Sequence, residues 1–295
     1  MKTKSAARSA LEGFMHLLFL ICGIVSVAFV LGISVYLIIS GLPAIREIGL
    51  WNFLFGTVWD PANTSGEAAF GILPLILTSV YGTAGAVIIG VPVGLMTAVF
   101  LAKFASPGLS AAVHTAVELL AGIPSVVYGL VGMIVLVPAI RNIFGLSSGA
   151  TLLAAIIVLA IMILPSIINV SETALRAVPW EYEEASLALG ATETETYFKV
   201  SLPAAKSGVA AAVVLGVGRA IGEAMAIIMV SGNVANMPGL FKSVRFLTTA
   251  IASGMSYASY GSLYRNALFS VGLVLFLFIM LINILLNVVI KKKEA

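Results

Sequence analysis

Charge is scarce in this chain: Asp, Glu, Lys and Arg make up 10% of its 295 residues, against roughly 25% in a soluble globular domain. With 60% of residues hydrophobic, water is excluded as the main solvent. Cysteine occurs once, at Cys22 inside an apolar run, which excludes a disulfide framework or a cysteine metal site within one chain. The two histidines, His16 and His114, have no metal-ligand company, so no metal site is expected. No stretch reads G-x-x-x-x-G-K followed by Ser or Thr, and Asp60 is the only aspartate. The chain therefore lacks the parts that bind ATP and its magnesium. No basic stripe suited to nucleic acid is present, and no serine–histidine or paired-aspartate arrangement suggests an enzyme.

What is abundant is uncharged helix-length sequence. About 20 apolar residues cross a hydrocarbon core, and six runs bounded by charge or turn residues approach or exceed that length: 17–39, 72–101, 115–140, 151–170, 207–230 and 266–290. Lys2, Lys4 and Arg8 precede the first run as in a signal peptide. That run is too long for a signal core and lacks an A-x-A site, so it is expected to stay as a membrane helix. Proline removes a backbone hydrogen bond, so Pro124 is expected to bend the third span.

Six spans put both ends on one side, and both ends are basic, with Lys291, Lys292 and Lys293 closing the chain. The positive-inside rule makes that side cytoplasmic. Lys103, Arg176, Lys199 and Lys206 then also lie inside, while Arg46, Arg141, Lys242, Arg245 and Arg265 lie outside. Two outer loops are long, 41–70 with Trp51, Trp59 and Asp60-Pro61, and 231–265 with Asn236-Met237-Pro238-Gly239. Their aromatics are read either as interfacial anchors or as a docking face for an external solute-binding protein.

The cytoplasmic loop 171–206 carries deliberate punctuation. Pro179 suits a helix start, Glu181, Glu183 and Glu184 suit the positive end of its dipole, and Gly190 suits its end. Thr192-Glu193-Thr194-Glu195 fits a capping box that starts a second short helix, and Leu202-Pro203 leads into the fifth span. In that span Arg219 and Glu223 stand four apart, which places them on one helix face. Near mid-membrane such charges face a polar interior or each other. The glycines at 216, 218 and 222 allow another helix to approach. His114 and Glu118, also four apart, are expected at the membrane interface or against the pathway or loop.

The stretch Glu184-Ala185-Ser186, three residues, Gly190, nine residues, Val200-Ser201-Leu202-Pro203 resembles the EAA loop of ABC importer permeases, with Ser186 for an alanine and Val200 for an isoleucine. Gly218-Arg219-Ala220-Ile221-Gly222-Glu223-Ala224-Met225-Ala226, Ala121 to Gly129 and Trp59-Asp60-Pro61 resemble the PstC-type permease family of phosphate-specific transport. The resemblance implies an all-α integral membrane fold, the six-helix type I (MetI-like) importer domain with cytoplasmic coupling helices. It divides the chain into a tail and first helix (1–40), an outer loop (41–70), a permease core (71–290, coupling loop 179–203) and a basic tail (291–295).

It further implies a substrate path through Arg219, Glu223 and Ser125, and coupling to an ATPase through Glu184, Ala185, Ser186, Gly190, Leu202 and Pro203. The implied partners are a PstA-like permease, two ATP-binding subunits that hold ATP and Mg, an extracytoplasmic phosphate-binding protein and the lipid of a bacterial inner membrane. The chain itself carries no cofactor in this reading. A permease for another oxyanion, molybdate or sulfate, and a secondary transporter or channel remain as alternatives.

Overall fold

The computed structural model describes residues 6–61 and 67–292, without the side chains of 6–10, 286, 287 and 289–292. The basic groups of Lys2, Lys4, Arg8 and Lys291 to Lys293 lie outside the described residues. Helices dominate: α1 Ala6–Ile48, α2 Leu50–Phe55, α3 Leu73–Val99, α4 Pro107–Gly122, α5 Ser125–Val131, α6 Val137–Phe144 and α7 Leu152–Arg176. They continue with α8 Trp180–Ala188, α9 Glu193–Thr196, α10 Leu202–Ala204, α11 Lys206–Gly222, α12 Met225–Val230, α13 Leu247–Gly254 and α14 Leu263–Lys292. π turns at Phe100–Phe104, Gly132–Leu136 and Tyr197–Ser201 join neighbouring helices. A two-residue ribbon, β1 (Trp59–Asp60) with β2 (Ala69–Phe70), pairs antiparallel.

Among the described residues five helical stretches are long and apolar enough to cross a membrane, and a sixth span arises when the helix pair bent by 71° around Ala205 is taken as one. Helix is the form such sequences must take, because hydrocarbon offers no partner for a free N–H or C=O. Three spans differ from the pattern read off the sequence, the fifth by a break after Gly222. The third does not merely bend at Pro124: α4 ends at Gly122, Ile123 and Pro124 are extended, and α5 restarts at Ser125. The first continues past residue 39 through Pro43 to Ile48.

At the centre lies α7, flanked by α3 and α11. The α3–α7 seam is close because α3 offers glycine where α7 offers isoleucine. A Cβ on Gly85 or Gly90 would stand 2.7 Å from Ile156 Cδ1 or Ile163 Cδ1, and one on Gly94 2.8 Å from Ile167 Cγ2. Ile156, Ile163 and Ile167 are buried there, the packing expected where small residues replace the hydrophobic drive between helices. By contrast α1 is exposed from residue 11 to 33 and meets α14, where Ser270 Oγ donates to the Gly41 carbonyl at 2.6 Å.

Both long loops are more structured than connections. Trp59 is 6% exposed and packs edge-on against Phe70 and Tyr264, so it is a core residue rather than an interfacial anchor. Trp51 is exposed. Within 231–265, α13 is embedded, with Leu247, Thr249 and Ala250 buried and the Leu247 N–H donating to Ser79 Oγ at 3.0 Å.

Gly90→Leu is expected to force α3 and α7 apart at a cost of about 1 to 3 kcal/mol. Thermal unfolding in detergent will show a lowered midpoint, and an unchanged one would contradict the seam.

Candidate functional site

Arg219 and Glu223 do not share a helix face. Gly222 ends α11, and Glu223 has extended backbone at φ −74°, ψ 131°. Arg219 therefore sits in the last turn of α11, where a cation complements the helix dipole. Glu223 caps the next helix, its Oε1 accepting the Ala226 N–H at 3.0 Å. The Glu223 carbonyl accepts from the Thr248 hydroxyl of α13 at 2.7 Å. One N–H and one C=O freed by the break are thus satisfied, which lowers the cost of a non-helical step in apolar surroundings. Among the described residues no ion pair joins Arg219 to Glu223, and both are half-buried.

The break in the third span lies beside this one. α5 packs on α12, and a Cβ on Gly129 would stand 2.8 Å from Ala226 Cα. Tyr128 donates back across the break to the Leu120 carbonyl at 2.7 Å. Ser125 opens α5 and is half-buried. The structure so brings together two interrupted helices, one cation and one carboxylate. Of the three glycines, a Cβ on Gly216 would stand 3.1 Å from Ile167 Cδ1 of α7, whereas one on Gly218 or Gly222 would meet open space.

At the Arg176 end of α7 the chain forms an elbow. α8 starts after Pro179 and ends ahead of Gly190, whose φ of +89° is open to glycine and strained for other residues. Thr192 and Glu195 form the capping box that opens α9. Lys199 holds the Glu195 carboxyl below its ordinary range by a 3.0 Å bond, with Thr192 adding to it. Ser186 and Thr196 hydroxyls meet at 2.8 Å and tie α8 to α9. Burial raises the Tyr197 hydroxyl, with Glu193 and Glu183 adding to the effect.

Glu184, Ala185 and Gly190 are exposed on this elbow, Pro203 too, while Ser186 and Leu202 are half-buried. Glu184 accepts from Trp180 Nε1 at 2.6 Å, and Trp180, Tyr182 and Leu189 also face outward. The buried carboxylate is Glu183, paired with Lys103. Below it Glu172, 3% exposed, joins His114 at 3.0 Å and Arg176 at 2.8 Å. His114 thus bridges α4 to α7.

Residues 90–294 match the family model described as "Binding-protein-dependent transport system inner membrane component". The chain belongs to this family. It is 40% identical over 271 residues to the "Probable ABC transporter permease protein YqgH" of Bacillus subtilis, covering 90% of this chain and 87% of that protein. It is 34% identical over 294 residues to the "Phosphate transport system permease protein PstC" of Pasteurella multocida, covering 89% and 90%. In fold it resembles a chain of the inward-facing MetNI methionine ABC transporter, with a TM-score of 0.56 and 23% identity over 76% of this chain and 94% of that one.

The chain is thus an ABC importer permease, and two of its polar centres escape a reading by spacing. Glu183 is hidden beside Glu184 in a run of acids, and nothing local marks which one turns inward. Glu172 lies at the end of an apolar run, and its partners come from residues 114 and 176, one of them 58 residues away. Thr248→Val in this permease keeps the shape but leaves the Glu223 carbonyl without its donor. A loss of about 1 to 3 kcal/mol is expected, read as a lowered unfolding midpoint. Full stability would show that the break does not need α13.

Proposed function

We propose that this permease is a membrane subunit of an ATP-driven phosphate importer of the bacterial inner membrane. The observation that carries the reading is Arg219, set at a helix break with no ion-pair partner among the described residues. A guanidinium offers forked donors that match phosphate oxygens. The carboxylate of Glu223 spends one oxygen on its cap and can accept the O–H of a protonated phosphate, a group that fully ionised sulfate lacks. Ser125 stands at the neighbouring break as a further path residue. The likeness to proteins named as phosphate transport permeases supports the same substrate.

In this reading the elbow docks on a cytoplasmic ATPase, with Glu184, Ala185 and Ser186 on the gripping helix, Gly190 at the reversal, and Leu202 and Pro203 leading into the span. ATP and Mg belong to two such partner subunits. A PstA-like permease completes the path, and an extracytoplasmic binding protein delivers phosphate at the opposite end. Both termini are cytoplasmic. Residues 71–290 form the transport core, with 1–40, 41–70 and 291–295 as the added helix, outer loop and tail. Alternating access exposes Arg219 and Glu223 to each side in turn.

Uptake of labelled phosphate by the assembled transporter tests the path. Arg219→Lys removes the fork, and a drop of about tenfold is expected. Glu223→Gln keeps an oxygen for the Ala226 N–H but no longer accepts a proton, so sulfate is expected to compete. Normal phosphate uptake and selectivity in both variants would remove the assignment, and molybdate or sulfate outcompeting phosphate in the parent chain would favour another oxyanion. Gly190→Trp is expected to reach the membrane at normal level and lose uptake. Retained uptake would remove the coupling role of the elbow.

A further inference from the structure

α8 has an unusual attachment. Of its nine residues, the buried one is Glu183, a carboxylate, with a side chain 1% exposed. Burying a charge is costly unless it is paired, and an apolar residue would hold a short helix more cheaply. Glu183 Oε1 is engaged twice, by Lys103 Nζ and by the Ser201 hydroxyl at 2.8 Å. Its Oε2 is buried with no hydrogen-bond partner.

Both partners stand on π turns, Lys103 in Phe100–Phe104 at the end of α3 and Ser201 in Tyr197–Ser201. The two turns also touch directly, Phe104 edge-on to Tyr197 at 5.1 Å and Lys103 Nζ over the Tyr197 ring at 5.6 Å. Such turns recur at functional sites because the extra residue loosens the helical ladder. The α3 turn is gripped from the other side as well, Arg176 donating to the Leu101 carbonyl at 3.0 Å.

We propose that Lys103–Glu183–Ser201 is the link through which displacement of α8 enters α3, making Lys103 and Glu183 positioning residues of transport. The inference rests on the proposed docking of the elbow on an ATPase. Apolar contacts slide, whereas a charged bond of fixed length and direction carries a pull and can be remade after it breaks. α3 receives the pull at its π turn and passes it to α7 along the glycine seam. The unpartnered Oε2 leaves the carboxylate a second position in which to hold Lys103 as α8 turns.

The test uses the full transporter with its ATPase and partner subunits in lipid vesicles, reading phosphate imported per ATP hydrolysed. Lys103→Met is expected to lower that ratio about fivefold or more, with hydrolysis held within about twofold, while Lys103→Arg keeps both. Glu183→Gln, which keeps the Ser201 bond and loses the charge, is expected to match Lys103→Met and serves in its place if that variant does not reach the membrane. An unchanged ratio in the neutral variants overturns the proposal. So does a fall in hydrolysis and transport in equal proportion with a lowered unfolding midpoint, the mark of a merely structural bond. Gly190→Trp separates the two levels: if it abolishes uptake while the neutral variants keep their ratio, the link fails and the elbow reading stands; if Gly190→Trp transports normally, the elbow reading fails first.

Discussion

The permease is governed by the demand that no backbone group be left bare in hydrocarbon. Helical hydrogen bonding meets it along most of α3, α7 and α14, with Pro92 and Pro165 each removing one donor. At the two interruptions the side chains meet it instead, Tyr128 across one break and Glu223 with Thr248 across the other. Those three side chains satisfy backbone groups freed at the breaks and leave Arg219 beside them. The interruptions also lie side by side, because Gly129 lets α5 close on α12.

The seam between α3 and α7 complements this arrangement. Glycine against isoleucine brings two long helices within contact of their backbones, so α7 serves as a spine against which the broken helices are set. The same spine ends in Glu172 and Arg176, where an ion pair joins the apolar packing of Leu175. Directional bonds are thus added at the elbow end to apolar packing that continues there through Val99, Leu175 and Ala205.

Much of this was legible in the residues. The apolar runs gave the spans, and the punctuation from Pro179 to Glu195 gave the elbow with its capping box, because caps are local chemistry. The break at Glu223 was not legible. Four-residue spacing implies a shared face only while the helix continues, and the carbonyl at the stop finds its donor in Thr248, 25 residues further on. The third span shows the same limit, since Pro124 signals a disturbance without fixing its size. Trp59 looked like a surface aromatic, yet Phe70 and Tyr264 enclose it, one of them from the start of α14. Choosing Glu183 over Glu184 as the inward carboxylate needs the position of Lys103, 80 residues away.

The first helix stands apart from this economy of contacts. α1 leans on α14 around Gly41 and Ser270 and is exposed over residues 11–33, before the matched family region begins at residue 90. Its first half is consequently held by none of the chain's own packing, so whatever fixes its tilt and position must come from outside the chain.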